Sequence, residues 1–145
     1  LVAECVGNLE YLDGFHDYVI VQNYHHDIAI CQLDRLRLGI VCSNIISNAF
    51  KYRNLKAKEC YLKIDVTIEN HLVKIVFQDN GIGIAKVHLD KVFDMFYRAT
   101  EISEGSGLGM YIVKQALDKL NGNISIESKL NVGTKIILEI PEMRL

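Results

Sequence analysis

Cys60–Glu69 (CYLKIDVTIE) alternates without a break: Leu62, Ile64, Val66 and Ile68 fall on one side, Tyr61, Lys63, Asp65 and Thr67 on the other. Period-two alternation over this length marks a strand with one buried face. Asn70-His71 then makes a two-residue turn, and Leu72–Gln78 returns as a second strand. A one-residue slip in this pairing would turn every apolar side chain to solvent. The hairpin therefore demands a sheet with one covered face.

Helices supply the cover. In Gly39–Asn54 (GIVCSNIISNAFKYRN), Val41, Ile45, Ile46, Ala49 and Phe50 recur at helical spacing, Asp34 is placed to cap the helix, and its end falls near Arg53. A second strong helix is expected from Leu108 to Leu120, with Ile112, Val113, Ala116, Leu117 and Leu120 turned inward and Asn121-Gly122 as its stop. Lys86–Met95 fits a shorter helix. Leu1–Tyr11 has weak helical periodicity, as the tail of a helix begun earlier would; a first residue other than Met suggests a fragment of something longer. Tyr18–Tyr24 alternates like a strand, Ile28–Cys31 fits a short partner or edge, and Ile124–Ser128 with Thr134–Ile140 fits a closing hairpin around Lys129–Gly133. At 145 residues this is one domain, with helices layered on one face of a mixed sheet.

Polar residues sit where this pattern does not require them. Asn44, Asn48 and Lys51 lie at i, i+4 and i+7 of the long helix, within roughly 60° of one stripe at about 100° per residue. Asparagine is a mediocre helix former. The stripe is either a polar edge meeting solvent or a site where amide oxygens meet a magnesium ion and the lysine a phosphate. Two glycine clusters follow it in sequence. Asp79-Asn80-Gly81-Ile82-Gly83-Ile84 follows a strand, and Gly105-Ser106-Gly107-Leu108-Gly109 opens a helix. Such clusters let backbone N–H groups approach an anion, and a helix start favours phosphate. Neither has the Walker A or GxGxxG spacing. Asp79 is either a turn residue or an acceptor for an exocyclic amine such as that of adenine. In Phe93–Arg98 (FDMFYR) the aromatics either join the core or seat a lid over a nucleotide, with Arg98 reaching its terminal phosphate. The polar stretch Ala99–Gly105 between these motifs is expected to be mobile.

These motifs, in this order, resemble the catalytic and ATP-binding domain of bacterial two-component sensor histidine kinases, within the gyrase–chaperone–kinase–mismatch-repair ATPase superfamily (HATPase_c). Asn44–Tyr52 looks like the N box, Asp79–Gly83 the G1 box, Phe93–Arg98 the F box and Gly105–Gly109 the G2 box; Asp34–Leu38 and Gly133-Thr134 are also similar to the family pattern. The resemblance implies an α/β two-layer sandwich (the Bergerat ATP-binding fold), its sheet mixed and mostly antiparallel with three main helices on one face. It implies ATP and Mg²⁺ as cofactors. Asn48 would be the metal ligand, supported by Asn44, with Lys51 on phosphate and Tyr52 near ribose or base. Asp79 would read the adenine amine, with Gly81, Gly83 and Ile84 as floor and wall of the pocket. Phe93 and Arg98 would belong to the lid, and Gly105, Gly107, Leu108 and Gly109 would wrap the triphosphate. Thr134 would lie near adenine through its hydroxyl or a water. The superfamily's hydrolases carry a glutamate where Asn44 stands, and an amide cannot take a proton from water. Phosphoryl transfer to an acceptor is therefore favoured over hydrolysis.

No histidine here has the acceptor's context, so the phosphorylated histidine is expected on a separate dimerisation domain before Leu1. A response regulator receiver domain would be the next partner, and the fragment itself would be monomeric and cytoplasmic. A formal net charge of −2 argues against nucleic acid as main partner, and no apolar run reaches membrane-spanning length. Cys5, Cys31, Cys42 and Cys60 are scattered without a CxxC pair, which fits reduced thiols. All five histidines are expected at the surface, without a metal site. The rival functions are a self-contained ATPase or regulatory serine kinase of the same superfamily, and a degenerate interaction module.

Overall fold

The computed structural model describes residues 1–26, 31–100 and 105–143. Five strands form one sheet: β1 (Tyr18–His26), β2 (Cys60–Glu69), β3 (Leu72–Asp79), β4 (Asn123–Lys129) and β5 (Gly133–Pro141), in the spatial order β1-β2-β3-β5-β4. β1 pairs with β2 in parallel, and the other three pairings are antiparallel. The parallel pair is joined by the long helix α2 (Arg35–Lys51), since parallel neighbours need a crossover. α1 (Val2–Gly7), α2 and α4 (Gly109–Lys119) pack on one face of the sheet, and their buried residues share one core with it. This is the two-layer α/β sandwich with a mixed sheet.

Alternation sets the core. Val73, Ile75 and Phe77 of β3 are buried and pair with Ile140, Leu138 and Ile136 of β5. One step further, the same face carries Asp79 opposite Thr134. The apolar rows thus turn polar at one end of the sheet, beneath the C-terminal end of α2. Asn70 and His71 take positive φ values of 49° and 62° in the β2–β3 turn, the left-handed pair that a two-residue hairpin wants.

α2 begins where Asp34 accepts a hydrogen bond from the Arg37 backbone N–H at 2.9 Å, and this bond holds the Asp34 carboxyl below its ordinary range. Its apolar face, with Val41, Cys42, Ile45, Ile46, Ala49 and Phe50, is buried. α4 ends as expected from Asn121-Gly122, although the residues divide the work differently. Asn121 takes the left-handed conformation (φ 52°) and Gly122 donates to the Leu117 carbonyl at 2.9 Å, the bonding of a Schellman cap. A Cβ on Gly122 would press on Ile140 and Leu117 at 3.1 Å. Close packing, not a left-handed φ, is what asks for glycine there.

Two expectations are corrected. The helix over Lys86–Met95 shrinks to α3, Lys86–Leu89. Val87 is exposed and only Val92 of the segment is buried, so no apolar stripe sustains a longer helix; turns at Lys91, Asp94 and Tyr97 follow instead. Ile112 does not face the core, being 40% exposed where Val113 and Leu117 are fully buried. The short strand expected at 28–31 lies outside the described residues but for Cys31, as do 101–104 of the polar stretch. Among the described cysteines none is paired, and burial pushes the Cys42 thiol up to about 12.

Candidate functional site

A cleft of about 940 Å³ opens between α2, the start of α4 and the polar end of β3 and β5. Asn44, Asn48, Lys51 and Tyr52 reach it from α2, Asp79, Gly83 and Ile84 from the end of β3, Arg98 from the aromatic segment, Gly105, Gly107, Leu108 and Gly109 from the start of α4, and Thr134 from β5. Residues 90 positions apart in the chain thus share one concavity. Phe93 and Gly81 do not line it. Ile112 does, which accounts for an exposed isoleucine beside the buried face of α4.

The glycines bring the walls together. A Cβ on Gly109 would stand 3.2 Å from the Asn44 Oδ1 and 3.8–3.9 Å from the Asn48 amide. The second glycine cluster is therefore laid directly against the asparagine stripe. Lys51 packs its ammonium against Gly105 and 5.2 Å from the centroid of the Tyr52 ring. Gly107 takes φ 72° against the Phe96 backbone. In the first cluster the requirement differs from anion approach. A Cβ on Gly81 would meet the Tyr52 carbonyl at 2.6 Å, and one on Gly83 (φ 68°) would collide with the Lys129 backbone. These two glycines let neighbouring chain segments close on the loop: the Ile82 N–H donates to the Tyr52 carbonyl at 3.0 Å, and the Asn131 N–H donates to that of Ile82 at 2.7 Å. Gly81 shapes the loop from behind.

Asp79 is held without being neutralised. Its Oδ1 accepts from the Gly81 N–H at 2.8 Å and the Thr134 N–H at 3.2 Å. Burial raises its carboxyl to about 6, and those two bonds only partly oppose it. Both donors end on one oxygen, which leaves Oδ2 to accept a hydrogen from a ligand. Asn44 is committed as a donor, its Nδ2 bonding the Ile40 carbonyl at 2.8 Å. Its oxygen remains, and an amide has no basic nitrogen to offer water.

The aromatic segment divides between surface and cleft. Phe96 is 66% exposed with φ 63°, while Tyr97 and Arg98 line the cleft. Three contributors escape motif reasoning. His88, expected at the surface, is half-buried, lines the cleft and hydrogen-bonds the Tyr97 hydroxyl; no spacing rule links residues of a helix and a turn in this way. Asn80 staples the loop to β2, accepting from the Tyr61 N–H at 2.8 Å and donating to the Glu59 carbonyl at 2.7 Å. Ser128 accepts from the Ile84 N–H at 2.8 Å, and counting the β4–β5 register from the hairpin would have put it opposite Thr134.

Among the described residues no three His, Cys, Asp or Glu side chains gather as a metal site, and no helix is long and apolar enough to cross a membrane. An amide oxygen lining this cleft suits magnesium, which keeps several waters and takes few protein ligands.

Residues 33–144 match the family described as histidine kinase-, DNA gyrase B-, and HSP90-like ATPase (HATPase_c). The chain is 38% identical to the sensor histidine kinase WalK of Bacillus subtilis over 114 residues, which cover 76% of this chain and 18% of WalK. Across the curated relatives it matches first, it spans 15–22% of their length. In fold it is similar to the mycobacterial sensor histidine kinase MprB, with a TM-score of 0.80 at 21% identity, covering 99% of this chain and 95% of that one. It is also similar to full-length ShkA in complex with AMPPNP, with a TM-score of 0.78 at 18% identity, covering 99% of this chain and 30% of ShkA. The chain belongs to the HATPase_c family, in the form carried by the ATP-binding catalytic domains of sensor histidine kinases.

Proposed function

We propose that this domain holds Mg·ATP with the γ-phosphate directed at a histidine on a separate dimerisation domain, from which a response regulator receiver domain takes the phosphoryl group. The observation that carries this is the meeting of Asn44, Asn48 and Lys51 with Gly105–Gly109 across one cleft, with a half-buried acceptor, Asp79, at its other end. Phosphoryl transfer asks for positioning and charge neutralisation more than covalent chemistry, and these residues offer both. Asn48, supported by Asn44, would hold magnesium, which when bound neutralises charge on the phosphate oxygens. Lys51 would leave Gly105 for phosphate, and Arg98 would add a second cation beside it. Gly107, Leu108 and Gly109 would present backbone N–H groups to the phosphates at the start of α4. Tyr52 would face ribose or base, and Gly83, Ile84 and Thr134 would enclose adenine. Asn44 in place of a carboxylate base favours transfer over hydrolysis. The AMPPNP complex of ShkA supports the nucleotide class. A cytoplasmic, monomeric domain completes this reading.

Calorimetric titration with ATP, with and without Mg²⁺ and beside GTP, tests it. Magnesium-dependent, adenine-selective binding is expected, and Asn48→Ala should weaken Mg·ATP about tenfold while sparing metal-free ATP. Binding indifferent to magnesium, or GTP bound as well as ATP, would overturn it.

A further inference from the structure

The polar end of the sheet is a row of three side chains on adjacent strands: Ser128 pairs with Thr134, and Thr134 with Asp79. Ser128 Oγ makes three contacts. It accepts from the Ile84 N–H at 2.8 Å, donates to the Gly133 carbonyl at 2.9 Å and lies 2.8 Å from Thr134 Oγ1. A serine hydroxyl has one proton and two lone pairs. A carbonyl can only accept, so the serine proton belongs to Gly133. The Ile84 N–H takes one lone pair. All three contacts are hydrogen bonds only when Thr134 donates its proton into the second. The Thr134 N–H is likewise engaged, on Asp79 Oδ1 at 3.2 Å. With both protons turned away, Thr134 offers the cleft only oxygen lone pairs.

We propose that Ser128 is a positioning residue that fixes the polarity of the Thr134 hydroxyl, so that Thr134 and Asp79 form a two-acceptor edge selecting bases with an exocyclic amine. Ser128 does not line the cleft and acts through Thr134. At its 6-substituent an amino purine brings two N–H donors to this edge. A 6-oxo purine brings an acceptor, and two acceptors facing each other without a proton lose a hydrogen bond and leave a buried group unpaired. Turning Thr134 to donate would rescue the 6-oxo base, and its bond to Ser128 prevents the turn. The inference rests on the nucleotide reading above and adds the origin of its base selectivity.

The test is titration of the 145-residue chain, and of its Ser128→Ala and Ser128→Thr variants, with ATP and with inosine triphosphate in the presence of Mg²⁺. The wild-type chain should prefer ATP. Ser128→Ala should narrow that preference about tenfold, mainly through better binding of inosine triphosphate by the released Thr134 hydroxyl, and Ser128→Thr should restore it. Equal weakening of both nucleotides by Ser128→Ala, with the ratio kept, would mean a structural prop only and overturn the proposal while leaving the nucleotide site standing. No ATP preference in the wild-type chain would overturn the adenine reading itself and this proposal with it. If Ser128→Ala does not fold, Thr134→Val decides. Loss of ATP affinity with inosine triphosphate unchanged supports the acceptor edge, and an unchanged ratio overturns it.

Discussion

Asp79 costs the fold stability, and its pH dependence should show it. Burial raises its carboxyl from 3.8 to about 6, so between those values the folded chain holds a proton that the unfolded chain releases. Stability from this group is complete below about pH 4 and is lost as pH rises through 6, a swing of roughly 3 kcal/mol. Asp79→Asn keeps an oxygen for the Gly81 and Thr134 N–H groups and does not titrate. Urea unfolding should therefore show the variant gaining on wild type by up to that amount between pH 4 and 7, while losing its adenine preference. A constant difference across pH would remove the buried-charge account. Tyr18 makes a second such case. Its hydroxyl is buried with no hydrogen-bond partner among the described residues, and its ring packs edge-on against Phe50 at 5.4 Å. Tyr18→Phe keeps the ring and removes the orphan, so a gain of about 1 kcal/mol in unfolding free energy is expected. A loss would mean that the hydroxyl has a water partner.

At the level of elements, the start of α4 shows why a glycine can be costly to keep and costly to replace. In a helix, alanine is favoured over glycine by up to about 1 kcal/mol, yet a Cβ on Gly109 would press on Asn44 Oδ1 at 3.2 Å. Gly109→Ala is expected to melt at or above the wild-type temperature and to bind Mg·ATP about tenfold more weakly. Thermal melts beside titration check both; unchanged affinity would mean that the contact of α4 with the asparagine stripe has no functional weight. The same contact explains what was legible in the sequence. Period-two and helical patterns mark β2, β3, α2 and α4 within two residues of their observed ends, because each buries one full face. Pattern fails for α3, which buries little, and for Ile112, which lines the open cleft rather than the core. The asparagines, Lys51 and both glycine clusters stand out because propensity argues against them where they are. Ser128 and His88 do not stand out, since a hydroxyl in a strand and a histidine in a short helix break no local rule.

For the whole molecule, the polar end of the sheet was legible only as separate motifs, since strand order brings them together and no local pattern states strand order. β5 lies between β3 and β4, and this places Thr134 beside Asp79. The core is centred on β2, β3 and β5, whose inward residues are buried in continuous rows, whereas β1 lies at the edge and, among the described residues, pairs with β2 alone. Hydrogen exchange should follow this layout. Amides of Ile75 and Phe77 are expected to open only with global unfolding, and those of β1 at least about tenfold faster. Uniform protection across the sheet would make β1 part of the same cooperative unit. The parallel pairing of β1 also sets a clock on synthesis. Tyr18 meets Cys60 only after α2 and β2 have both been made. At about 5–20 residues per second, β1 waits roughly 2–8 seconds for β2. In that interval Tyr18 and Ile20, which the fold later packs into and against the core, and an unpaired strand edge are open to other nascent chains, so growth at low temperature, where synthesis slows, lengthens the exposure it was meant to relieve.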